Sequence, residues 1–103
     1  MYFLLLAALS LAFPESGLRD SELVCLYDQS YYEGKRTCFS TAGIKKKLPG
    51  FNDKASSIRI AKGCKVEARE NRNMRGREMI VNSNLPIFPK SFDKRMSSLE
   101  ITC

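Results

Sequence analysis

The chain has 103 residues, a formal charge of +6, four cysteines, and neither histidine nor tryptophan. A chain of this length accommodates one domain with a modest core. Without histidine the usual neutral-pH base is missing, and no acid pair or phosphate-binding loop stands out, so the composition argues against an enzyme.

Residues 1–13 are almost wholly apolar and run into Pro14, Glu15, Ser16 and Gly17. The run is too short to cross a bilayer. An apolar core that ends at a breaker and small residues, with polar Arg19, Asp20, Ser21 and Glu22 beyond, has the layout of a secretory signal peptide, although no Lys or Arg precedes it. The expected organisation is a signal peptide over 1–17, a short N-terminal segment over 18–22 and one domain over 23–103. The protein is expected to be secreted and extracellular, without a transmembrane segment.

From residue 24 onward no helical periodicity is sustained. Short apolar or alternating segments are separated by Gly, Pro, Asn and Ser clusters, which predicts strands at 23–27, 35–40, 56–61, 65–69, 77–82 and 97–102. Alternation puts Val24, Leu26, Ile58, Ile60, Leu99 and Ile101 on an inward face, with Arg59 and Glu100 turned outward. The predicted class is all-β, a two-sheet sandwich.

Cys25, Cys38, Cys64 and Cys103 are even in number and widely spaced, which in a small exported domain favours two disulfides; the three possible pairings are not separable by count. Zinc is the weaker reading, because close cysteine pairs and histidine are both absent. Two basic clusters, Lys45–Lys47 and Arg69, Arg72, Arg75 and Arg77, could meet an extracellular polyanion or a microbial surface, or could simply be solvated. No nucleic-acid partner is expected, and a monomer is.

The chain repeats. Val24-Cys25-Leu26-Tyr27 with Gly34 is matched by Val66-Glu67-Ala68-Arg69 with Gly76, and Asp53…Ser56-Ser57-Ile58-Arg59-Ile60 by Asp93…Ser97-Ser98-Leu99-Glu100-Ile101. A repeat of this length is one supersecondary unit that cannot bury its apolar face alone. The two units are motif one (23–62) and motif two (63–103).

These residues resemble the βγ-crystallin family, whose motif is an aromatic, four residues, an aromatic, one residue and a glycine. Tyr27, Tyr32 and Gly34 match it in full; motif two keeps Gly76 but has Arg69 and Met74 at the aromatic positions. The resemblance implies a Greek-key β-sandwich of βγ-crystallin type, disulfide-bonded, in which the fourth strand of each motif joins the other motif's sheet. In that topology Cys25 would pair with Cys38 and Cys64 with Cys103, with Cys25–Cys103 as the open alternative.

The family's calcium signature is two Asn/Asp positions, two variable residues, Ser or Thr, then Ser. Asn52-Asp53-Lys54-Ala55-Ser56-Ser57 fits it throughout; Asp93-Lys94-Arg95-Met96-Ser97-Ser98 has Lys94 where Asn or Asp belongs. The resemblance implies one intact Ca2+ site and a weaker second one. The Ser56 hydroxyl and Lys54 carbonyl would be ligands, Asp53 would supply charge, and a hairpin carbonyl near Ser30 or Arg72 would come from the opposite motif. Asp93, Arg95 and Ser97 would form the second set. Asp and Ser before a strand also serve as ordinary turn and capping residues. The functional expectation is a secreted calcium-binding structural or extracellular-matrix-type protein. The alternative is a basic defence protein, either antimicrobial or killer-toxin-like, or a proteinase inhibitor on the same fold.

Overall fold

The computed structural model describes residues 17–103; the expected leader lies outside them, apart from Gly17. Seven strands follow in order: β1 (Val24–Gln29), β2 (Glu33–Phe39), β3 (Gly43–Lys45), β4 (Ser57–Ile60), β5 (Lys65–Asn71), β6 (Arg75–Val81) and β7 (Ser98–Thr102). They form two antiparallel sheets, one ordered β2-β1-β4 and the other β3-β7-β5-β6.

The register follows from the alternation. Val24 sits opposite Ile60 and Leu26 opposite Ile58 in one sheet, and Val66 opposite Ile101 and Ala68 opposite Leu99 in the other. All eight side chains are buried in one core between the sheets, joined by Leu48, Phe51, Phe88, Phe92 and Met96 from the loops. Each sheet thus offers one apolar face, and neither can shed it without the other.

The exchange between motifs differs from the expected one. The fourth strand β4 stays beside β1 of its own motif, and it is the third strand, β3, that crosses to pair with β7 of motif two. The reciprocal crossing is a single bridge, with Ile58 and Leu85 exchanging both backbone hydrogen bonds at 3.1 and 2.9 Å. The physical reason lies in the inward sets. β4 carries Ile58 and Ile60, which complete the apolar face begun by Val24 and Leu26, whereas β3 is three residues long with Ile44 about half exposed. The short strand loses little by crossing over and links the halves.

Both disulfides of the expected pairing are present, Cys25–Cys38 across β1 and β2 and Cys64–Cys103. Cys25 points away from the core yet is fully buried, beneath the segment that precedes β1. In that segment Glu22 Oε1 lies 3.6 Å from the Cys25 sulfur, and the Gly17 backbone rests on the Arg59 side chain.

The β1–β2 hairpin folds tightly over itself. Gly34 has φ +82°, and a Cβ there would collide with Asp28 Oδ1, the acceptor of the Lys35 N–H at 2.9 Å. Gly34→Ala is therefore expected to destabilise the domain by about 2 kcal/mol through left-handed strain and loss of that bond. Urea unfolding of the variant checks this; an unchanged midpoint would mean that the hairpin can open at no cost.

Candidate metal centre

The two signature loops, 52–57 and 93–98, lie side by side and clasp one another. The Asp53 N–H donates to the Met96 carbonyl at 3.0 Å, and the Lys94 N–H to the Ala55 carbonyl at 2.9 Å. Asp53 and Lys94 both have left-handed backbone, φ 58° and 59°, a conformation that short polar side chains tolerate and long ones adopt only under constraint. The turn throws each side chain across to the opposite motif.

Asp53 therefore does not serve the serine of its own loop. Its Oδ1 accepts a hydrogen bond from the Ser97 hydroxyl at 3.0 Å. Lys94 makes the reverse crossing: its Nζ donates to the Asp28 carbonyl at 2.5 Å and to the Lys54 carbonyl at 3.3 Å. The expected grouping of Asp53 with Lys54 and Ser56 is thus divided between two cradles. The first holds the carbonyls of Asp28 and Lys54, with Ser56 in the same loop and the Lys94 ammonium between the two oxygens. The second holds the Asp53 carboxylate and the Ser97 hydroxyl.

An open depression of about 510 Å³ marks the second cradle, lined by Asp53, Glu70, Asn71, Asp93, Lys94 and Arg95. Neither Ser30 nor Arg72 is among the lining residues. What the hairpins bring to the cradles is the Asp28 carbonyl, which accepts from Lys94, and in motif two Glu70 and Asn71, which line the depression. Asp28 escaped the sequence reading because a backbone carbonyl leaves no trace in residue type, and Glu70 and Asn71 because they lie in the hairpin strand, outside the loop signature. Their one signal was position, immediately after Tyr27 and Arg69 in the repeat.

The rim of the second cradle is braced by charge. Arg77 contacts both carboxylate oxygens of Glu70 at 2.9–3.2 Å and donates to the Ser91 carbonyl at 2.9 Å. The hydrogen bonds from Arg77 hold the Glu70 carboxyl below its ordinary range, so it stays ionised into mild acid.

The Asp53 carboxylate and the Ser97 hydroxyl are hard-oxygen donors of the kind calcium takes, with water able to complete the shell, although Lys94 and Arg95 on the same lining bring positive charge beside them. The buried Asn52 Oδ1, in the same loop as Asp53, has no hydrogen-bond partner among the described residues, an oxygen that water or a cation could satisfy. The three carboxylates of Asp53, Glu70 and Asp93 are not gathered into one cluster, so neutral oxygens must carry much of the coordination. The described group that is gathered, Glu22 with Cys25 and Cys38, has its sulfurs locked in the disulfide and offers no thiolate.

The aromatic pair of the first hairpin is in place. Tyr27 and Tyr32 meet edge to face, with ring centroids 5.9 Å apart, and the Arg59 guanidinium lies 3.9 Å from the Tyr32 centroid. Burial raises the Tyr32 hydroxyl pKa, against the opposing pull of Arg59. In motif two Arg69 replaces packing with polar bonds, pairing with Glu67 and Glu78 and donating to the Gly76 carbonyl at 3.0 Å.

Those ion pairs revise the polyanion surface. Arg69 and Arg77 are neutralised by Glu67, Glu78 and Glu70, and Lys45 bonds Thr41 and lies over the Phe39 ring. Lys46, Lys47 and Arg75 are exposed, and the Asn73 N–H on the Lys46 carbonyl, at 2.9 Å, brings the lysine run beside the β5–β6 turn.

No family model matches the sequence, and no curated protein is significantly similar to it. Solved structures are similar. A βγ-crystallin domain from Flavobacterium johnsoniae superposes with TM-score 0.73 at 22% identity, covering 80% of this chain and 96% of that one. A doubly substituted βγ-crystallin domain from Clostridium beijerinckii gives TM-score 0.70 at 26% identity over 78% of this chain and 96% of its own. The N-terminal domain of protein S gives 0.69 at 16% identity over 78% and 94%. Two interlocked motifs, an exchanged third strand and paired Asp/Ser loops, on a backbone that superposes on these domains over nearly their whole length, make this chain a βγ-crystallin domain in fold.

Proposed function

We propose that the protein is a secreted, non-enzymatic, calcium-binding βγ-crystallin domain with a structural or extracellular-matrix role, and that it takes calcium at the second cradle. The observation that carries this reading is the Asp53–Ser97 contact across the motif boundary. The Asp53 carboxylate that accepts from Ser97 also lines an open depression, where Glu70, Asn71 and Asp93 offer further oxygens beside the cations Lys94 and Arg95. Calcium bound there would draw motif one and motif two together through Asp53 and Ser97, adding a metal link to the shared core, the exchanged strand, the Ile58–Leu85 bridge and the loop hydrogen bonds that already join the halves. Two disulfides suit an oxidising compartment, and residues 1–13 suit export.

Metal that binds only the folded state stabilises it by about 2.7 kcal/mol at a hundredfold excess over Kd, a rise of roughly 10–20 °C in Tm for a domain of this size. The expected result is such a rise in millimolar calcium, little in magnesium, and none in Asp53→Ala. A Tm indifferent to calcium in the oxidised protein overturns the proposal.

A second reading, a basic defence protein or proteinase inhibitor, draws on the adjacency of Lys46 and Lys47 to the β5–β6 turn. It requires that neutralising Lys46 and Lys47 abolish binding to heparin or anionic vesicles; retention of binding by that variant removes it.

A further inference from the structure

The repeat makes the two cradles comparable residue by residue: Asp28 corresponds to Glu70, Lys54 to Arg95, Ser56 to Ser97, and Asp53 to Lys94. In the second cradle the crossing residue is an anion that can receive a cation. In the first it is a cation, and its ammonium already bridges two carbonyl oxygens from different elements, Asp28 at the end of β1 and Lys54 in the loop before β4. The Ser97 hydroxyl is bonded to Asp53, whereas its counterpart on Ser56, nearly buried, makes no hydrogen bond among the described residues.

We propose that Lys94 is a covalently tethered cation that permanently fills the first cradle, so that the domain binds one calcium, at the second cradle, and holds the first without metal. The stoichiometry rests on the calcium reading above; the role of Lys94 does not. Two physical arguments support it. A group delivered from within the fold acts at a high effective concentration, of order millimolar or above for short tethers, and an incoming dication would have to displace it while facing its positive charge. The ammonium also offers three donors to oxygens that accept without competing for a proton. The first cradle would be braced at every calcium concentration, and only the second would respond to it.

The test is calcium titration of the oxidised protein by calorimetry, with Lys94→Asp and Lys94→Asn as opening variants and Asp53→Ala as the closing one. The expected stoichiometries are one for the native chain, two for Lys94→Asp, none for Asp53→Ala, and one for Asp53→Ala with Lys94→Asp. If the native chain binds one calcium and both Lys94 variants, folded by circular dichroism, still bind one, the tethered-cation proposal is overturned while the second site stands. If the native chain binds none and Lys94→Asp binds one, the proposal holds and the calcium function fails. A separate readout covers poor folding of the charged variants. In chelator, Lys94→Met should melt several degrees below the native chain, because the Asp28 and Lys54 carbonyls lose their donor; an unchanged Tm would overturn the bracing role.

Discussion

Replacing both Cys64 and Cys103 by alanine is expected to cost about 4 kcal/mol, and replacing both Cys25 and Cys38 about 3 kcal/mol, on the chain-entropy account of cross-links. The difference comes from loop length, since the first bridge closes a sequence separation of 39 and the second one of 13. Cys64–Cys103 spans all of motif two and so limits how far β5 and β7 can separate in the unfolded chain. A domain of this size has a total stability of roughly 5–15 kcal/mol, so loss of the long bridge alone removes a large share. Urea unfolding of the two double variants, each keeping the other bridge, measures the ranking. A larger loss for Cys25/Cys38 would place the stabilisation in the native state, where the fully buried Cys25 sulfur fills space under Glu22 and the N-terminal segment.

The parts of the fold legible in the sequence were those written in side-chain alternation. Ile58 and Ile60, or Leu99 and Ile101, declare a strand and its inward face because every second residue is apolar, and both strands form with that face buried. β3 carries no such signal: Gly43, Ile44 and Lys45 are too few to alternate, and the lysines beside them read as a charge run. With no alternation to mark β3, the sequence pattern assigns the exchange to the fourth strand, whereas the structure gives it to the third. The partners of Cys25 and Cys64 became legible once the topology was assumed, because Cys25 and Cys38 then face each other on neighbouring strands.

At the candidate site the loops were legible and the wiring was not. Asp53 and Ser56 stand three residues apart, and proximity in sequence suggests one site. The left-handed backbone at Asp53 sends its carboxylate to Ser97 instead, 44 residues along the chain. Lys94 stood out as a mismatch in the second signature, but its effect falls on the first, through carbonyls at Asp28 and Lys54. Strand exchange makes each loop a neighbour of its counterpart, so a substitution in one motif is felt in the other.

Ser57 and Ser98, the last residues of the two signatures, should prove structural, with Ser57→Ala and Ser98→Ala each costing about 2–4 kcal/mol. Each hydroxyl joins a strand to its own hairpin at two points. Ser57 donates to the Gln29 carbonyl at 2.6 Å and accepts from the Tyr32 N–H at 3.0 Å; Ser98 donates to the Asn71 carbonyl at 2.6 Å and accepts from the Met74 N–H at 3.0 Å. Both serines are fully buried, so alanine would strand a donor and an acceptor that water cannot readily reach. The hairpins they clamp are strained, with Tyr31, Tyr32, Asn73 and Met74 all at φ between 57° and 61°, and a non-glycine residue holds that conformation only when its surroundings impose it. Loss of the hydroxyl should therefore release the turn as well as the bonds, and amide hydrogen exchange at Tyr32 in Ser57→Ala, and at Met74 in Ser98→Ala, should accelerate beyond the change in global stability. Equal acceleration at every amide would mean that the clamp only adds to global stability and does not hold the turn. Because the Asp28 and Glu70 positions of the cradles sit at the base of these same hairpins, Ser57→Ala should also loosen the grip on Lys94, and Ser98→Ala should weaken calcium binding without removing a ligand.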